Sequence, residues 1–427
     1  RGASFELVDS HKFLWQILAT DVDFDLDGRM YISDWVNGWT GLGKGRIYRV
    51  QDPLHAVSGL AARGAQALRS GFQGVSNQAT GELLAHPDRR VRTEAQYHLV
   101  EQGQQDLLAG VALSGTNQLA RLHAIWGLGQ LARRGDWRDT AVATALLNDG
   151  DAEVRSQMAR VLGDAAAGGR GSDAELREIT SLLGDTSSRV RYFAAMALGH
   201  YGHASAVNPL LRVLDENRDE DPMLRHAAVM GLVGIGRDKV KPLLAVAGHP
   251  VRFGRLGVLL ALGRLGHPGV ARYLDDPEPS LQVAAARAIH DEAMLPAYPA
   301  LARVRVTPAS ADALARRVLN ANFRLGGSEQ VAVVAQVASD EAFAESLRLE
   351  AVAELRAWTD PPPLDRVLGA FRPLEKRSTK IGLDEIGAVI PALLSGSARL
   401  RKAGVDLATH YKVGKVGPLL VGLVGDT

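Results

Sequence analysis

The 427-residue sequence holds no cysteine. Disulfides, thiolate metal sites, cysteine nucleophiles and covalently attached haem are therefore excluded within it. Aromatic residues are scarce, at 5% of the chain against 46% hydrophobic residues overall. A core so poor in rings is built from Ala, Leu and Val, and such residues suit closely packed helices. Net charge is nearly absent, since 49 Lys and Arg against 48 Asp and Glu leave +1. That balance gives no support to nucleic acid or an anionic membrane surface as a partner. No run approaches the roughly 20 apolar residues of a membrane helix, so no membrane span is expected. Arg1-Gly2-Ala3-Ser4 leads into no apolar segment of the signal-peptide kind. G-x-S-x-G, H-E-x-x-H and P-loop patterns are all missing. The glycine-rich run from Ala167 to Ser172 follows no strand and reads as an interhelical loop, not a phosphate cradle.

What is present is a repeat. From Gly81 onward a unit recurs with an Arg, two apolar helical turns and a Gly, as in RVRTEAQYHLVEQG, EVRSQMARVLGD and RVRYFAAMALGHYG. The aligned positions are Arg92, Arg121, Arg155, Arg191, Arg225, Arg255, Gln282, Arg316 and Arg348, spaced 29, 34, 36, 34, 30, 27, 34 and 32 residues apart. Two helices per period of this length indicate a HEAT-like α-solenoid over 81–427, making the chain mostly α. In the unit Arg189–Gly202, Val190, Phe193, Ala194 and Ala197 share an apolar face, Asp185 to Ser188 supply capping oxygens, and Gly199 and Gly202 read as terminators. The repeated Arg is expected to reach a helix-start loop or an acidic residue of the next repeat, with Asp151 and Asp185 as candidates. After Trp358 the pattern loosens: Asp360-Pro361-Pro362-Pro363 is a break and Arg372–Lys380 a polar bend. A further repeat from Ala398 has its partner helix starting at Lys415. Gly417–Val424 is apolar without a polar cap, which suggests truncation.

The first fifty residues differ from all of this. Ser4–Val8 reads as a short strand, and His11–Ala19 as a buried strand or a helical turn. In TDVDFDLDGRMYISDWVNGW, Val22, Phe24 and Leu26 alternate with Asp21, Asp23 and Asp25, the period of a half-buried strand. Asp27-Gly28 makes a tight turn, Met30–Ile32 a second strand and Gly45–Val50 a third. Such a meander is marginal alone and is expected to belong to a larger sheet structure. Residues 51–80 form a linker and first helix, with Asp52 and Pro53 suited to its start. Asp23-x-Asp25-x-Asp27-Gly28-x5-Asp34 has the spacing of a calcium loop, with oxygens at alternate positions and a carboxylate at the twelfth. The competing reading is a hairpin whose solvent face is acidic. Asp34 and Asn37, flanked by Trp35 and Trp39, are candidates for a cofactor or substrate pocket, and Lys44 and Arg46 for contact with an anionic cofactor. Trp residues packing a junction, a turn at Asn37-Gly38 and solvated cations are the alternatives. His200 and His203 have metal-like spacing but lack a third ligand nearby, which favours capping.

LATDVDFDLDGRMYISDWVNGW, then GKGRIYRV, then repeats from HPDRRVRTEAQYHLVEQG, resembles the end of the β-propeller in the membrane-bound dehydrogenase-like proteins of planctomycetes, verrucomicrobia and their relatives. That propeller is similar to those of glucose and sorbosone dehydrogenases. The resemblance implies that residues 1–50 are the last strands of a β-propeller and that the chain is a fragment of an exported, periplasmic or extracellular protein. It implies sugar or alcohol oxidation by a quinone such as PQQ, with electrons passing to a c-type haem domain docked on the solenoid. No residue here demonstrates either cofactor, and the chain alone is not expected to be catalytic. The alternative is a non-enzymatic HEAT-repeat scaffold for a protein partner, because solenoids present a long concave surface.

Overall fold

A computed structural model of the chain describes residues 2–36, 38–40, 43–56, 59–137, 139–378, 380, 382–414 and 417. The chain separates into two compact units, Arg1–Lys239 and Val240–Thr427. In the first, strands β1 (Ala19–Phe24), β2 (Met30–Asp34) and β3 (Arg46–Val50) form an antiparallel sheet in the order β1-β2-β3. Ser4–Val8, expected as a strand, is not one. The sheet leads into a short helix, Pro53–Ala56, and a longer one, Gly59–Ser70.

Five helical hairpins follow in the first unit. Their second helices are the long ones: α1 (Arg89–Glu101), α2 (Gln118–Arg134), α3 (Ala152–Ala167), α4 (Ser188–Tyr201) and α5 (Pro222–Gly236). Each packs against a first helix, namely Asn77–Leu83, Gln105–Ser114, Thr140–Leu147, Asp173–Ser181 and Val207–Asn217 in turn. The caps follow local chemistry. Ser76, Asp88, Asn117, Asp139, Asp151, Ser187 and Asp221 each accept a hydrogen bond from a first-turn N–H, and Ser172 with Glu175 closes a full capping box. The second unit repeats the plan with α6 (Arg252–Arg264), α7 (Pro279–Asp291), α8 (Asp312–Leu325), α9 (Glu345–Arg356) and α10 (Ala398–Tyr411). The short spacing from Arg255 to Gln282 has a local cause, because the first helix of that hairpin is a 3₁₀ stretch, Pro268–Asp275. Lys415 and nearly all of the apolar run after it lie outside the described residues.

The repeated Arg lies at the fourth position of its long helix in almost every hairpin. A helical side chain there leans back toward the N-terminus, so the guanidinium reaches the loop that precedes its own helix. Arg155 Nη1 donates to the Asp149 carbonyl at 2.7 Å, Arg255 Nη1 to those of His249 and Pro250, and Arg92 Nη1 to those of His86 and Pro87. The other edge of the guanidinium reaches the loop of the next hairpin. Arg121 bonds the Asp149 carboxylate at 3.3 and 2.5 Å, Arg155 bonds Asp185 at 2.8 and 2.9 Å, and Arg255 bonds Asp276 at 2.8 and 3.1 Å. Each of these Asp residues also accepts an N–H two residues on, from Asp151, Ser187 and Glu278. Asp185 thus has the ladder role expected of it, whereas Asp151 caps α3 and bonds Gln118 instead. One repeat departs in register: Arg316 sits one residue later and pairs with Asp312. Its neighbour Arg317 bonds Asp291 of the preceding hairpin at 2.9 and 2.7 Å.

The glycines near the helix ends divide into two roles. Gly202 is a left-handed cap with φ +64° and ends α4. Gly199, read from the sequence as a second terminator, lies inside α4. A Cβ there would come within 3.0 Å of Gly231 Cα on α5, and one on Gly231 within 2.7 Å of the Ala195 carbonyl. Gly163 meets Ala197 in the same way. These residues are small because the helix backbones touch, and that closeness lets a core poor in aromatics exclude water.

Two tests follow from this packing. Arg155→Ala and Asp185→Ala should each lower the unfolding free energy of the first unit by about 1–3 kcal/mol, the double variant by clearly less than the sum, in urea titrations. Burial opposes the charge on Asp185, but the Arg155 hydrogen bonds outweigh it and hold the carboxyl below its ordinary value. The contribution is therefore present above the ordinary carboxylate range and lost as pH falls below it. Gly231→Ala should gain helix propensity yet lose about 1–2 kcal/mol overall by forcing α4 and α5 apart, read as a lowered thermal midpoint.

Candidate functional site

The sheet does not gather its four aspartates. Paired residues share a face, and register pairs Asp23 with Tyr31 but Asp34 with Ala19 and Arg46. Tyr31 and Asp34 lie on opposite faces of β2, so Asp23 and Asp34 do too. Each carboxylate has local work. Asp25 Oδ1 accepts the N–H groups of Asp27 and Arg29, both at 2.9 Å, which closes the hairpin turn around Gly28 at φ +79°. Asp27 pairs with Arg29 and Arg69, and Asp23 Oδ1 accepts the N–H of Phe24. Among the described residues no group of three or more His, Asp or Glu is placed to hold a metal ion. The arrangement does not fit calcium, and the motif spacing is accounted for by turn chemistry.

Asp34 is buried and accepts the N–H groups of Leu18 and Val36 at 2.9 and 3.0 Å. Those bonds, Val36 first, with Arg46 and Tyr48 adding, hold its pKa below the ordinary value. It ties together the chain entering β1 and the chain leaving β2. Arg46 bonds the Tyr48 hydroxyl at 3.2 Å and Lys44 is exposed, while Asn37 lies outside the described residues. Trp35 and Trp39 pack edge to face at 4.7 Å. The apolar side of β1 is about half open to solvent, with Val22 and Phe24 52% and 49% exposed. The hairpin turn is anchored to the helices by Arg90, whose Nη1 donates to the carbonyls of Phe24 and Asp25 at 2.7 and 2.6 Å.

A different feature emerges across the long helices of the first unit. Gln96 Oε1 of α1 meets His123 Nδ1 of α2 at 2.8 Å, and His123 packs edge to face on Trp126 at 4.9 Å. Trp126 Nε1 donates to Gln157 Oε1 of α3 at 2.9 Å, and Gln157 Nε2 donates to Glu153 at 2.8 Å. Glu153 takes Arg189 of α4 in a bidentate pair at 2.5 and 2.9 Å. The chain of contacts crosses four helices. Burial, with the cations Arg92 and Arg89 helping, pushes the His123 pKa down to about 4, so its ring is neutral. Separately, Phe72, Glu94, Tyr97, Arg133 and Arg134 line a cleft of about 510 Å³ on α1, α2 and the turn before them. Periodicity could not reveal the row, since its members are ordinary helix residues until the helices are laid side by side. His203, by contrast, caps the following helical turn through Ser205 N–H, not the carbonyls at the end of α4.

The second unit holds a buried polar cluster. His290 is fully buried, with Nδ1 3.0 Å from Asp291 Oδ1 and Nε2 3.0 Å from Asn320 Oδ1 and 3.5 Å from Asp365 Oδ2. Burial lowers its pKa, but the bonds to Asp365, Asn320 and Asp291 more than reverse this and the imidazolium is favoured. Asn320 also donates to Glu354 Oε1 at 3.0 Å, while Glu354 Oε2 has no partner. Burial pushes the Glu354 pKa up to about 8. Asp365 belongs to the stretch after the triple proline. Arg372–Lys380, expected as a polar bend, continues that stretch as a strap. Arg372 donates to the carbonyls of His290 and Asp291, and Arg377 to those of Trp358 and Phe323. Arginines thus cap the C-terminal ends of α7 and α8, where the helix dipole favours cations, while the last carbonyls of α9 take the Tyr411 hydroxyl. His290, Asn320, Glu354 and Asp365 are buried, and the cluster reaches solvent only at Asp291, whose side chain is 26% exposed.

A sequence-family model described as HEAT repeats matches residues 140–220. No curated protein matches the chain. Among solved structures, Kap95p from a complex with RanGDP is 12% identical, with 88% of this chain and 57% of that chain covered at a TM-score of 0.44. Kap121p bound to Nup53p is 11% identical, with 86% and 50% covered at 0.40. An engineered protein is 15% identical, with 81% and 98% covered at 0.32. The chain spans about half the length of Kap121p. The family match falls within the first unit; with the helical hairpins of both units it describes a mostly helical, HEAT-like fold preceded in sequence by a three-stranded sheet. The matched residues lie downstream of the stretch that carries the dehydrogenase-like resemblance.

The buried cluster sets a pH dependence. Between the ordinary glutamate value of 4.5 and about 8, the folded chain keeps the Glu354 proton that the unfolded chain releases. Stability of the second unit therefore falls as pH rises through that window. The raised His290 pKa acts in the same direction, present at low pH and lost as pH rises through the folded value. Glu354→Gln should raise the denaturation midpoint at pH 8, by about 2 kcal/mol or more in free energy, and change little at pH 4.5. Urea titrations across this range measure it.

Proposed function

We propose that this chain is a non-catalytic HEAT-repeat scaffold that holds a protein partner against the exposed side of the long helices of its first unit. The observation that carries this reading is the row from Gln96 to Arg189. It runs from the buried Gln96, His123 and Gln157 to the partly exposed Trp126, Glu153 and Arg189 across four helices, and exposed Tyr97 stands on the first of them. Partially exposed aromatic and arginine side chains held rigid by neighbours are the usual anchors of protein interfaces. The near-neutral charge suits a protein partner better than a polyanion.

A second reading is favoured by the sheet. Val22 and Phe24 on one side, and the unpaired edges of β1 and β3, are what further β structure would cover. In the propeller-HEAT dehydrogenase-like plan, that β structure would carry sugar or alcohol oxidation in an exported protein. The helical repeats would dock a c-type haem domain. No oxidation step is assigned to residues of this chain.

The two readings separate experimentally. The full chain, used as bait in extract from its source organism, should retain a stoichiometric partner. The exposed-side variant Tyr97→Ser/Arg133→Glu/Arg134→Glu should retain at least about tenfold less while its thermal midpoint stays unchanged. A partner held equally by both would overturn the scaffold surface proposed here. A haem protein recovered as the partner would move the weight to the second reading.

A further inference from the structure

One stretch of the second unit keeps its backbone unpaired although both of its ends are held. After the short helix Tyr298–Ala302, residues 303–308 run toward the start of α8 as neither helix nor strand. The start is fixed by Asn322 of α8, whose Nδ2 donates to the Ala302 carbonyl at 2.9 Å. The end is fixed by a turn, in which the Thr307 N–H donates to Ser310 Oγ and the Ser310 N–H to the Thr307 carbonyl, both at 2.9 Å. Between these ties burial alternates: Val304 and Val306 are half-buried, Arg305 and Thr307 exposed, the period of an extended chain. Val306 packs on the core of the unit. Yet the N–H and C=O groups of Arg305 and Val306 form no hydrogen bond among the described residues.

This stretch is one wall of a cleft of about 420 Å³. The facing wall is one side of the helix Ser328–Ser339, where Glu329, Val333, Gln336 and Val337 recur at helical spacing. Leu325 and Phe343 add apolar surface. Asn322 also lines the cleft and is only 1% exposed. Its Nδ2 is spent on the carbonyls of Ala302 and Val318, both at 2.9 Å, which fixes the amide so that Oδ1 turns the other way. That oxygen accepts no hydrogen bond among the described residues. Arg303 and Arg305 line the same cleft, and among the described residues neither forms an ion pair. Three kinds of unused group therefore border one space: an extended backbone edge, a buried amide oxygen and two guanidinium groups. A small anion would satisfy only the arginines. A helix would offer the edge nothing, because its own backbone groups are already bonded. An extended segment with an acidic side chain satisfies all three.

We propose that this cleft binds an extended protein segment, which pairs its backbone with Arg305 and Val306 as an added strand and sets an acidic side chain beside Arg305. The residues on either side of the acidic one point the opposite way, toward the apolar lining, as Val304 and Val306 do. The segment therefore reads apolar-acidic-apolar. The Asn322 oxygen takes one further N–H from it. The site lies in the second unit and does not depend on the surface proposed for the first.

The test uses the full chain and the acetylated, C-terminally fluorescein-labelled peptide Ser-Val-Glu-Val-Ser. Fluorescence anisotropy should show saturable binding. Two peptide changes, neither able to affect protein folding, should each weaken it at least about tenfold. One replaces Glu by Lys. The other methylates the backbone nitrogens of Glu and of the Val after it, one of which must face the edge, since successive N–H groups of a strand point to opposite sides. In the protein, Arg305→Glu at its exposed position should remove the preference for the Glu peptide over the Lys peptide. Saturating peptide should slow hydrogen exchange at the amides of residues 305 and 306 at least about tenfold in the wild-type chain. No binding, binding insensitive to the peptide changes, a preference that survives Arg305→Glu, or unaltered exchange at 305 and 306 would each overturn the site.

Discussion

The bridge from an arginine near the start of one long helix to an aspartate in the next hairpin's loop is the interaction on which the helical stack depends. A single guanidinium has enough donors to bond the carbonyls of its own loop and the carboxylate of the following one. Arg155 does both, with Asp149 and Gly150 carbonyls on one edge and Asp185 on the other. The aspartate in turn orients the N–H groups that open its helix. Where the bridge forms, at Arg121, Arg155 and Arg255, one repeat sets the entry geometry of the next, and neighbour-to-neighbour coupling of this kind is how a repeat array becomes cooperative.

Close backbone approach completes that coupling. Where Gly199 faces Gly231 and Gly163 faces Ala197, the helices touch without large side chains between them. Aromatic residues are left for special places. Trp358 and Phe323 pack edge to face beneath Arg377, where the strap crosses the helix ends. The strap carries the chain from α9 to Leu383–Leu394, and on the way Arg377 bonds the Phe323 carbonyl at the end of α8 and the Trp358 carbonyl just past α9.

The helical architecture was legible because it is periodic. Arg92, Arg121, Arg155, Arg191, Arg225 and Arg255 all fall on long helices, and the three strands lie where alternation and Asp27-Gly28 place them. The candidate sites were much less legible. An Asp-x-Asp-x-Asp-Gly spacing is what a calcium loop needs, but it is also what a tight hairpin needs, because Asp25 accepts the N–H groups of its own turn. Spacing cannot tell a carboxylate that faces an ion from one that faces its own backbone. The row from Gln96 to Arg189 joins residues about thirty apart, a distance over which local pattern carries no information about contact.

Local chemistry by itself determined the element types, the caps, the hairpin turn and the repeat, since each depends on residues within a few positions of one another. Only the tertiary structure decided what the polar residues do. It turned Gly199 from a helix stop into a helix contact and gave Asp149 the ladder role in place of Asp151. It buried Asp34 as a tie between chain segments and sealed Glu354 beside Asn320, away from water. It also set Ala3 against Asp221, more than two hundred residues away. The reason is physical: a charged or polar group takes its role from the partners that burial brings within hydrogen-bond reach, and those partners come from other turns of the stack.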